Sequence, residues 1–348
     1  MRIGIAGGGL LGRLAAFQLT HAGHEVTVFE ACPSPTPEPN TLRAAAWTAA
    51  GMLSPIAEME CGGPIVRDLG RRSLTLWQTV DTQLRGTLNS VNGSPLGLQL
   101  HDSLMVCHAN DLGAAQRVLR LLDHDPDHLI ALTGRDIAPL APGLKGTLHA
   151  WRLKGEGHLS PPLAMESLRQ SLPSVHWRWG AQVSQLDPYV ISVNDQNSRF
   201  DWVFDTRGTG AAHALPVRGV RGEVIVLSAP HLELHRPVRL LHPRWRVYIV
   251  PHPGGRLVIG ATEIESEDRS PISVQSTLEL LSAAFSIFPS LAEARILYTD
   301  VNLRPAMMDN LPVVDTQPGI TRINGLFRHG WLLAPAVLEK ALSDAHLC

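Results

Sequence analysis

Four cysteines, Cys32, Cys61, Cys107 and Cys348, are all that the 348 residues contain. Their wide spacing fits neither a zinc knuckle nor a disulfide framework, and points to a reducing, cytoplasmic setting. No apolar run approaches the roughly 18 residues of a membrane span. The sixteen histidines show no H-E-x-x-H or similar ligand spacing, so no metal is expected. Basic blocks are missing too, and with a net charge of −2 the chain has no electrostatic footprint for nucleic acid. No internal repeat is visible. What remains is an ordinary soluble-enzyme balance, 44% hydrophobic and 18% charged, long enough for about two domains and a large core.

The most informative stretch is the first thirty residues. Arg2 to Ala6 reads as a buried strand, Gly7 to Gly12 as the turn G-G-G-L-L-G, and Leu10 to Ala22 as a helix closed by Gly23. Glu25 to Phe29 reads as a second strand with Glu30 at its end. Gly7 permits the tight turn, Gly9 admits a pyrophosphate to the backbone, and Gly12 lets helix pack on strand. The N-terminal N–H groups of the helix, at Leu10 and Leu11, then face the phosphates. Eighteen residues separate Gly12 from Glu30, the acid placed for a ribose and hostile to a 2′-phosphate. A signal peptide is excluded because glycines interrupt the apolar stretch and no cleavage site follows. The motif alone does not separate FAD from NAD.

Further along, Pro33 to Pro39 reads as an exposed loop. Ala44 to Glu60 is dense in small residues around Gly51. It is either a tightly packed helix start or backbone lying against a flat ligand, with Met52 as core filler or pocket wall. Ile65 to Arg85 reads as an amphipathic helix, Leu98 to His108 as strand, Asp111 to Asp123 as helix, and Pro139, Pro142 and Gly143 as a loop. Pro161 to Leu172 reads as a helix capped by Ser160. Val175 to Trp179 and Phe200 to Thr206 read as strands of the first sheet, with Val183 between them. From Arg218 the character changes: a long strand, then a hairpin of Val247 to Val250 and Arg256 to Ile259 around Pro253-Gly254-Gly255. A helix, Ser276 to Phe285, a loop, Met307 to Pro312, a strand, Ile320 to Ile323, and a last helix, Leu332 to Leu342, complete the reading.

Several segments together resemble the D-amino-acid oxidase family of flavoproteins, and within it the thiamine-biosynthetic glycine oxidases. They are G-G-G-L-L-G at Gly7, A-A-G-M-L at Ala49, R-G-E-V at Arg221, Y-I-V-P at Tyr248, V-I-G-A-T-E at Val258, L-R-P at Leu303, D-N-L-P at Asp309 and R-H-G-W-L-L-A-P at Arg328. The resemblance implies α/β plus α+β architecture. A Rossmann-like FAD-binding domain of GR2 type (1–88, 145–215 and 300–348) interleaves with an antiparallel-sheet substrate domain (89–144 and 216–299). It implies FAD, held by Gly7, Gly9, Leu10, Leu11, Gly12, Glu30, Ala31, Ala50, Gly51, Met52, Val183, Gly208 and the turn Phe327, Arg328, His329, Gly330, Trp331 and Leu332.

It also implies the site residues. Arg304 grips an amino-acid carboxylate with its two-pronged guanidinium. Tyr248 shares that carboxylate, and the Arg328 carbonyl accepts from the amine. Met52 and Glu58 line or neighbour the pocket; Arg246 and Glu263, charged positions close to Tyr248 in the hairpin that related enzymes need not share, add to it by selecting a charged substrate or by pairing with each other. Residue by residue, the alternatives are a salt bridge for Arg304 and a half-buried strand residue for Tyr248. The implied activity is oxidative deamination of a small amino acid, glycine foremost, by hydride transfer from Cα to flavin N5. Dioxygen reoxidises the flavin, and the imine passes to water or to a thiazole synthase; relatives imply a homo-oligomer. Rival readings are a dehydrogenase of the same fold serving another acceptor, a non-catalytic flavin protein, and an NAD enzyme. Ala44, Ala45, Ala46 and Trp47 stand where the family has hydroxyl residues, Asn302 replaces a glycine, and Asp205 to Gly210 replaces a small-residue turn.

Overall fold

The computed structural model describes residues 1–89, 93–122, 127–146, 148–244 and 246–347. Cys348 and the predicted helix end at Asp123 lie outside them.

The glycine-rich beginning folds as its pattern dictates. Arg2–Ala6 is the buried strand, Leu10–His21 the helix and Glu25–Glu30 the second strand. These two strands pair in parallel at the centre of a six-stranded sheet. In spatial order the sheet runs Val313–Gln317, Ile320–Asn324, Trp202–Asp205, Arg2–Ala6, Glu25–Glu30 and His176–Trp179. All its pairings are parallel except the first. Strand alternation divides its faces. Ile3, Ile5, Val26 and Val28 point into a core shared with Leu10–His21, Pro161–Gln170 and Gly330–Asp344, whereas Ala6, Phe29 and Val203 meet a small three-stranded antiparallel sheet. That small sheet, of Val183–Asp187, Val190–Val193 and Gln196–Arg199, has no counterpart in the sequence reading. Its strands are short and half polar, so periodicity carries no signal there.

Gly12 shows why the turn demands glycine. A Cβ there would lie 1.9 Å from the Gly7 carbonyl oxygen. Arg13, the next residue, is buried inside the first helix. Its guanidinium donates to the carbonyls of Gly8, Met165 and Pro35 at 2.9, 2.7 and 3.1 Å. It also lies 5.4 to 5.6 Å from the ring centres of Trp47, Trp177 and Trp179. Burial pulls its pKa down to about 10. Arg13, Arg43 and Asn40 tether the proline-rich loop, which is half-buried instead of freely exposed.

The second sheet has eight strands, in the order Arg295–Ala306, Arg218–Ser228, Arg256–Gly260, Arg246–His252, Val238–Leu241, Ser103–His108, Leu148–Leu153 and Leu129–Leu132. The hairpin is as predicted, with Ile249 opposite Ile259. One face, including Ile225, Leu227, Ile249 and Ile259, is covered by the helix Val274–Ile287. The opposite face, with Val224, Val226, Tyr248, Val250 and Val258, meets Ala50 and Met52.

Four strands of this sheet, Leu129–Leu132, Leu148–Leu153, Val238–Leu241 and Arg295–Ala306, were not predicted, nor was Val313–Gln317 in the first sheet. Each is specified by distant partners more than by local pattern. The expected cuts at 145 and 300 consequently miss the sheet boundary, because Leu148–Leu153 and the whole of Arg295–Ala306 pair inside this sheet. Pro139 sits within a short helix, Gly134–Leu140, opened by a Thr133–Asp136 capping box, not in a loop. Leu98 to Asp102 precedes the strand Ser103–His108 and is not part of it. The long helix Met59–Thr87 begins six residues before the predicted Ile65, running through non-helical Gly63.

Two buried anchors join the layers. Trp77 is fully buried and donates Nε1–H to the Trp331 carbonyl at 2.8 Å, while Trp331 donates to the Ala46 carbonyl at 3.1 Å. Glu156, also fully buried, accepts the N–H groups of Ile56 and Ala57 at 2.9 and 2.8 Å and the Ser103 hydroxyl at 2.5 Å. Burial pushes its pKa up to about 7, although Ser103 and the Ala57 amide pull the other way. Trp77→Ala should therefore cost about 3–5 kcal/mol in denaturant unfolding, with Trp77→Phe losing less. An acid with a raised native pKa binds more protons folded than unfolded, so its contribution falls as pH rises from the unfolded value toward 7. Glu156→Gln removes that dependence. Its melting temperature relative to the parent should climb between pH 5 and pH 8, and parallel curves would contradict this.

Candidate active site at the junction of the two sheets

One long cavity of about 770 Å³ runs between the sheets. At one end are Gly7, Gly9, Leu10, Leu11, Glu30, Ala31, Val183 and Gly208. The middle is walled by Ala44 to Ala46, Ala50, Gly51 and Met52, with Phe327, His329, Gly330, Trp331 and Leu332 opposite. The far end holds Glu58, Tyr248, Glu263, Arg304 and Arg328. The cavity thus gathers nearly every residue singled out in the sequence. Gly12 packs behind it, and Arg246 lies outside.

Arg246 requires a correction. Its side chain is 57% exposed, pairs with Glu60 at 2.9 Å and reaches the Cys61 sulfur. It does not pair with Glu263, which instead accepts from Arg328 Nη1 at 2.8 Å. Alternation puts Arg246 on the same face as the half-buried Tyr248, but Arg246 stands two residues earlier at the exposed beginning of the strand Arg246–His252, beyond the cavity.

At the first end the chain presents donors. The N–H groups of Leu10 and Leu11 open the helix and find no acceptor among the described residues. Glu30 is fixed by N–H groups of Gly8 and Cys32, at 2.6 and 2.8 Å, one to each oxygen. In the middle, Gly51 has φ +76°, and a Cβ would lie 2.2 Å from the Leu159 carbonyl oxygen. The protein's own backbone therefore already requires glycine there. Asn302, the glycine replacement, anchors this wall: its amide donates to the carbonyls of Arg43 and Ala44 and to Thr48 Oγ1 at 3.2, 3.4 and 3.1 Å. Beneath it Arg43 and Asp300 form a buried ion pair. Asp205 and Arg207 pair at 2.7 Å, and Asn324 donates to the Gly208 carbonyl at 2.9 Å, securing the second nucleotide-side turn.

The far end is built on charge. Glu58 is buried and meets Arg239, with Arg328 Nε and His329 Nδ1 each 3.0 Å from its Oε2. Burial alone would raise the Glu58 pKa, but Arg328, Arg239 and His329 hold it well below the usual carboxylate range. Burial likewise opposes charge on Arg239 and Arg328, but Glu58, joined by Glu156 at Arg239 and by Cys61 and Glu263 at Arg328, keeps both raised. Arg239 went unread in the sequence. Its only signal is a lone cation inside the apolar strand V-R-L-L.

Arg304 differs from these. It stands on Arg295–Ala306 opposite Val220, and its guanidinium lies over Gly222, where a Cβ would come within 2.4 Å. Its one protein hydrogen bond among the described residues is to the Arg221 carbonyl at 3.3 Å, and no carboxylate pairs with it. Burial lowers its pKa, offset in part by Tyr248 and, more weakly, by Glu263 and Glu58. The Tyr248 hydroxyl has no hydrogen-bond partner among the described residues, and burial raises its pKa. A half-buried guanidinium with no carboxylate partner beside a free hydroxyl has the donor geometry that suits a planar anion.

A dinucleotide fits this shape: unpaired helix N–H groups for phosphates, an oriented acid for a ribose, and an alanine-lined slot for a flat ring. No cluster able to hold a metal occurs among the described residues, and no described helix is long and apolar enough to cross a membrane.

Comparison with known proteins agrees. The family model described as FAD dependent oxidoreductase matches residues 2–339. A Rhizobium etli protein assigned as the thiamine biosynthesis oxidoreductase ThiO is 35% identical over 340 residues, covering 97% of this chain and 94% of its own. The glycine oxidase of Bacillus licheniformis is 26% identical, over 96% of this chain and 90% of its own. In three dimensions the glycine oxidase of Geobacillus kaustophilus superposes with a TM-score of 0.84 at 23% identity, over 99% of this chain and 94% of its own, which shows the fold. The fold and cofactor read from the motifs are those of these proteins, and the chain belongs to the FAD-dependent oxidoreductases of the D-amino-acid oxidase family, with FAD as its cofactor.

Proposed function

We propose that this enzyme oxidises a small α-amino acid, glycine foremost, so that glycine, dioxygen and water become glyoxylate, ammonia and hydrogen peroxide. One observation carries the reading: Arg304, half-buried at the end of the cavity, is paired with no carboxylate among the described residues. FAD, when bound, supplies the two-electron oxidation. Gly7, Gly9, Leu10, Leu11, Glu30, Ala31, Val183 and Gly208 hold its nucleotide part, and Ala50 to Met52 with Phe327 to Leu332 flank its ring.

The protein's own work is orientation. Arg304 takes the substrate carboxylate through two parallel N–H donors, and the Tyr248 hydroxyl adds a third. The Arg328 main-chain carbonyl accepts from the amine. The Arg328 side chain meanwhile stays committed to Glu58 and Glu263. With both ends fixed, the Cα hydrogen has one direction to leave, and the apolar wall at Ala50 to Met52 keeps water out. No general base is required of Glu58, which stays ionised and paired. The amine must be neutral to react, so the rate rises with pH through the bound amine's ionisation. The thiamine assignment of the Rhizobium relative supports passage of the imine to a thiazole synthase.

Anaerobic addition of glycine, sarcosine, D-amino acids and L-proline to the purified holoenzyme tests the reading. Glycine should bleach the flavin band, and a screen in which none does would refute it. Arg304→Leu should raise the apparent substrate constant by about 100-fold, the worth of a lost bidentate charged contact, with flavin content unchanged. Gly222→Ala, which pushes a methyl into the guanidinium, should shift the same constant in the same direction. Equal loss of flavin in these variants would remove the role given to Arg304.

A further inference from the structure

Glu263 is a carboxylate that the proposed reaction leaves unused. It follows the strand Arg256–Gly260, lines the cavity, and is 42% exposed at its side chain. Its Oε2 accepts from Arg328 Nη1 at 2.8 Å. The remainder of Arg328 is turned inward: Nε is 3.0 Å from Glu58 Oε2 and Nη2 is 3.5 Å from Oε1. Glu58 in turn is held by Arg239. Arg328 is therefore fixed from behind whether or not Glu263 is charged. Glu263 does one distinct thing: it takes up the nitrogen that faces the exposed side. The ion pair is too open to water to add much to folding.

Two guanidinium groups consequently meet at the substrate end, and their states differ. Arg304 is unmatched, while the outer nitrogen of Arg328 is taken. A substrate with one carboxylate satisfies Arg304 and leaves the Arg328–Glu263 pair intact. A second carboxylate on the same substrate would approach Arg328, find Nη1 engaged, and meet the like charge of Glu263.

We propose that Glu263 restricts the site to monocarboxylates, and that neutralising it turns Arg328 Nη1 into a second anion site facing Arg304. The inference rests on the amino-acid oxidase reading for its biological meaning, but the geometry makes a binding claim that can be read without turnover.

Malonate and its monoamide, malonamate, have nearly the same shape and differ by one charge. Each is titrated into holoenzyme while the flavin absorbance is followed. The parent should bind malonamate at least as tightly as malonate. Glu263→Gln should tighten malonate by about tenfold or more and change malonamate by less than about twofold, since like-charge contact is strongly selective. Glu263→Asp keeps the charge and should keep the parent's preference, which separates charge from packing. No malonate binding to Glu263→Gln, or equal shifts for both ligands, would overturn the proposal. In turnover, the kcat/KM ratio of D-aspartate to D-asparagine should rise by a similar factor in Glu263→Gln. If malonate tightens selectively but no amino acid is oxidised by either protein, the anion site stands and the oxidase reading falls.

Discussion

Glu58 is the point on which the active end of this molecule depends. Its carboxylate is buried at the start of the long helix, and two guanidinium groups and an imidazole from two other places converge on it. Arg239 comes from the middle of the antiparallel sheet, and Arg328 and His329 come from the last glycine turn. An isolated carboxylate there would be prohibitively desolvated. Surrounded in this way, it is more acidic than in water. Because its partners come from the antiparallel sheet and from the turn that follows the strand Ile320–Asn324, the charge cluster ties the two halves of the cavity together at its far end. Glu156 supports the same segment from behind, accepting the backbone N–H groups of Ile56 and Ala57 just before Glu58.

Against that cluster, the isolation of Arg304 is informative. Every other strongly buried cation around the far end is matched: Arg239 and Arg328 by Glu58, Arg221 by Glu223. Arg304 is held by shape and one long hydrogen bond to the Arg221 carbonyl, with the missing side chain of Gly222 providing the space.

Much of this was legible in the sequence because the relevant constraints are local. The first turn needs glycine for reasons contained within Gly7 to Gly12, and the first strands and helices announce themselves by apolar period. The motifs around Tyr248, Arg304 and Arg328 placed those residues at one end of one cavity without any knowledge of the pairing that brings them there. What could not be read depends on partners far away. Arg239 looks like an error in an apolar strand until Glu58 is opposite it. Arg246 and Glu263 looked like partners because the hairpin brings them near, yet each found a different opposite charge. The strand Arg295–Ala306 is long, but its outer half carries exposed apolar residues and takes its identity from Arg218–Ser228. Asn302 appeared as a loss of small-residue freedom and is instead the clamp for the Arg43 to Thr48 wall.

The two glycine turns that face each other across the cavity come from opposite regions of the sequence. The helix Gly330–Asp344 packs directly on Leu10–His21, and Ile320–Asn324 completes the sheet begun by Arg2–Ala6. A ribosome releasing this polypeptide therefore exposes the first nucleotide-binding turn long before the elements that bury its helix exist. The antiparallel sheet, whose strands lie almost wholly in the interval, can assemble earlier. The first nucleotide-binding turn is therefore completed only after the helix Gly330–Asp344 has emerged, and the apolar face of Leu10–His21 stays uncovered until then.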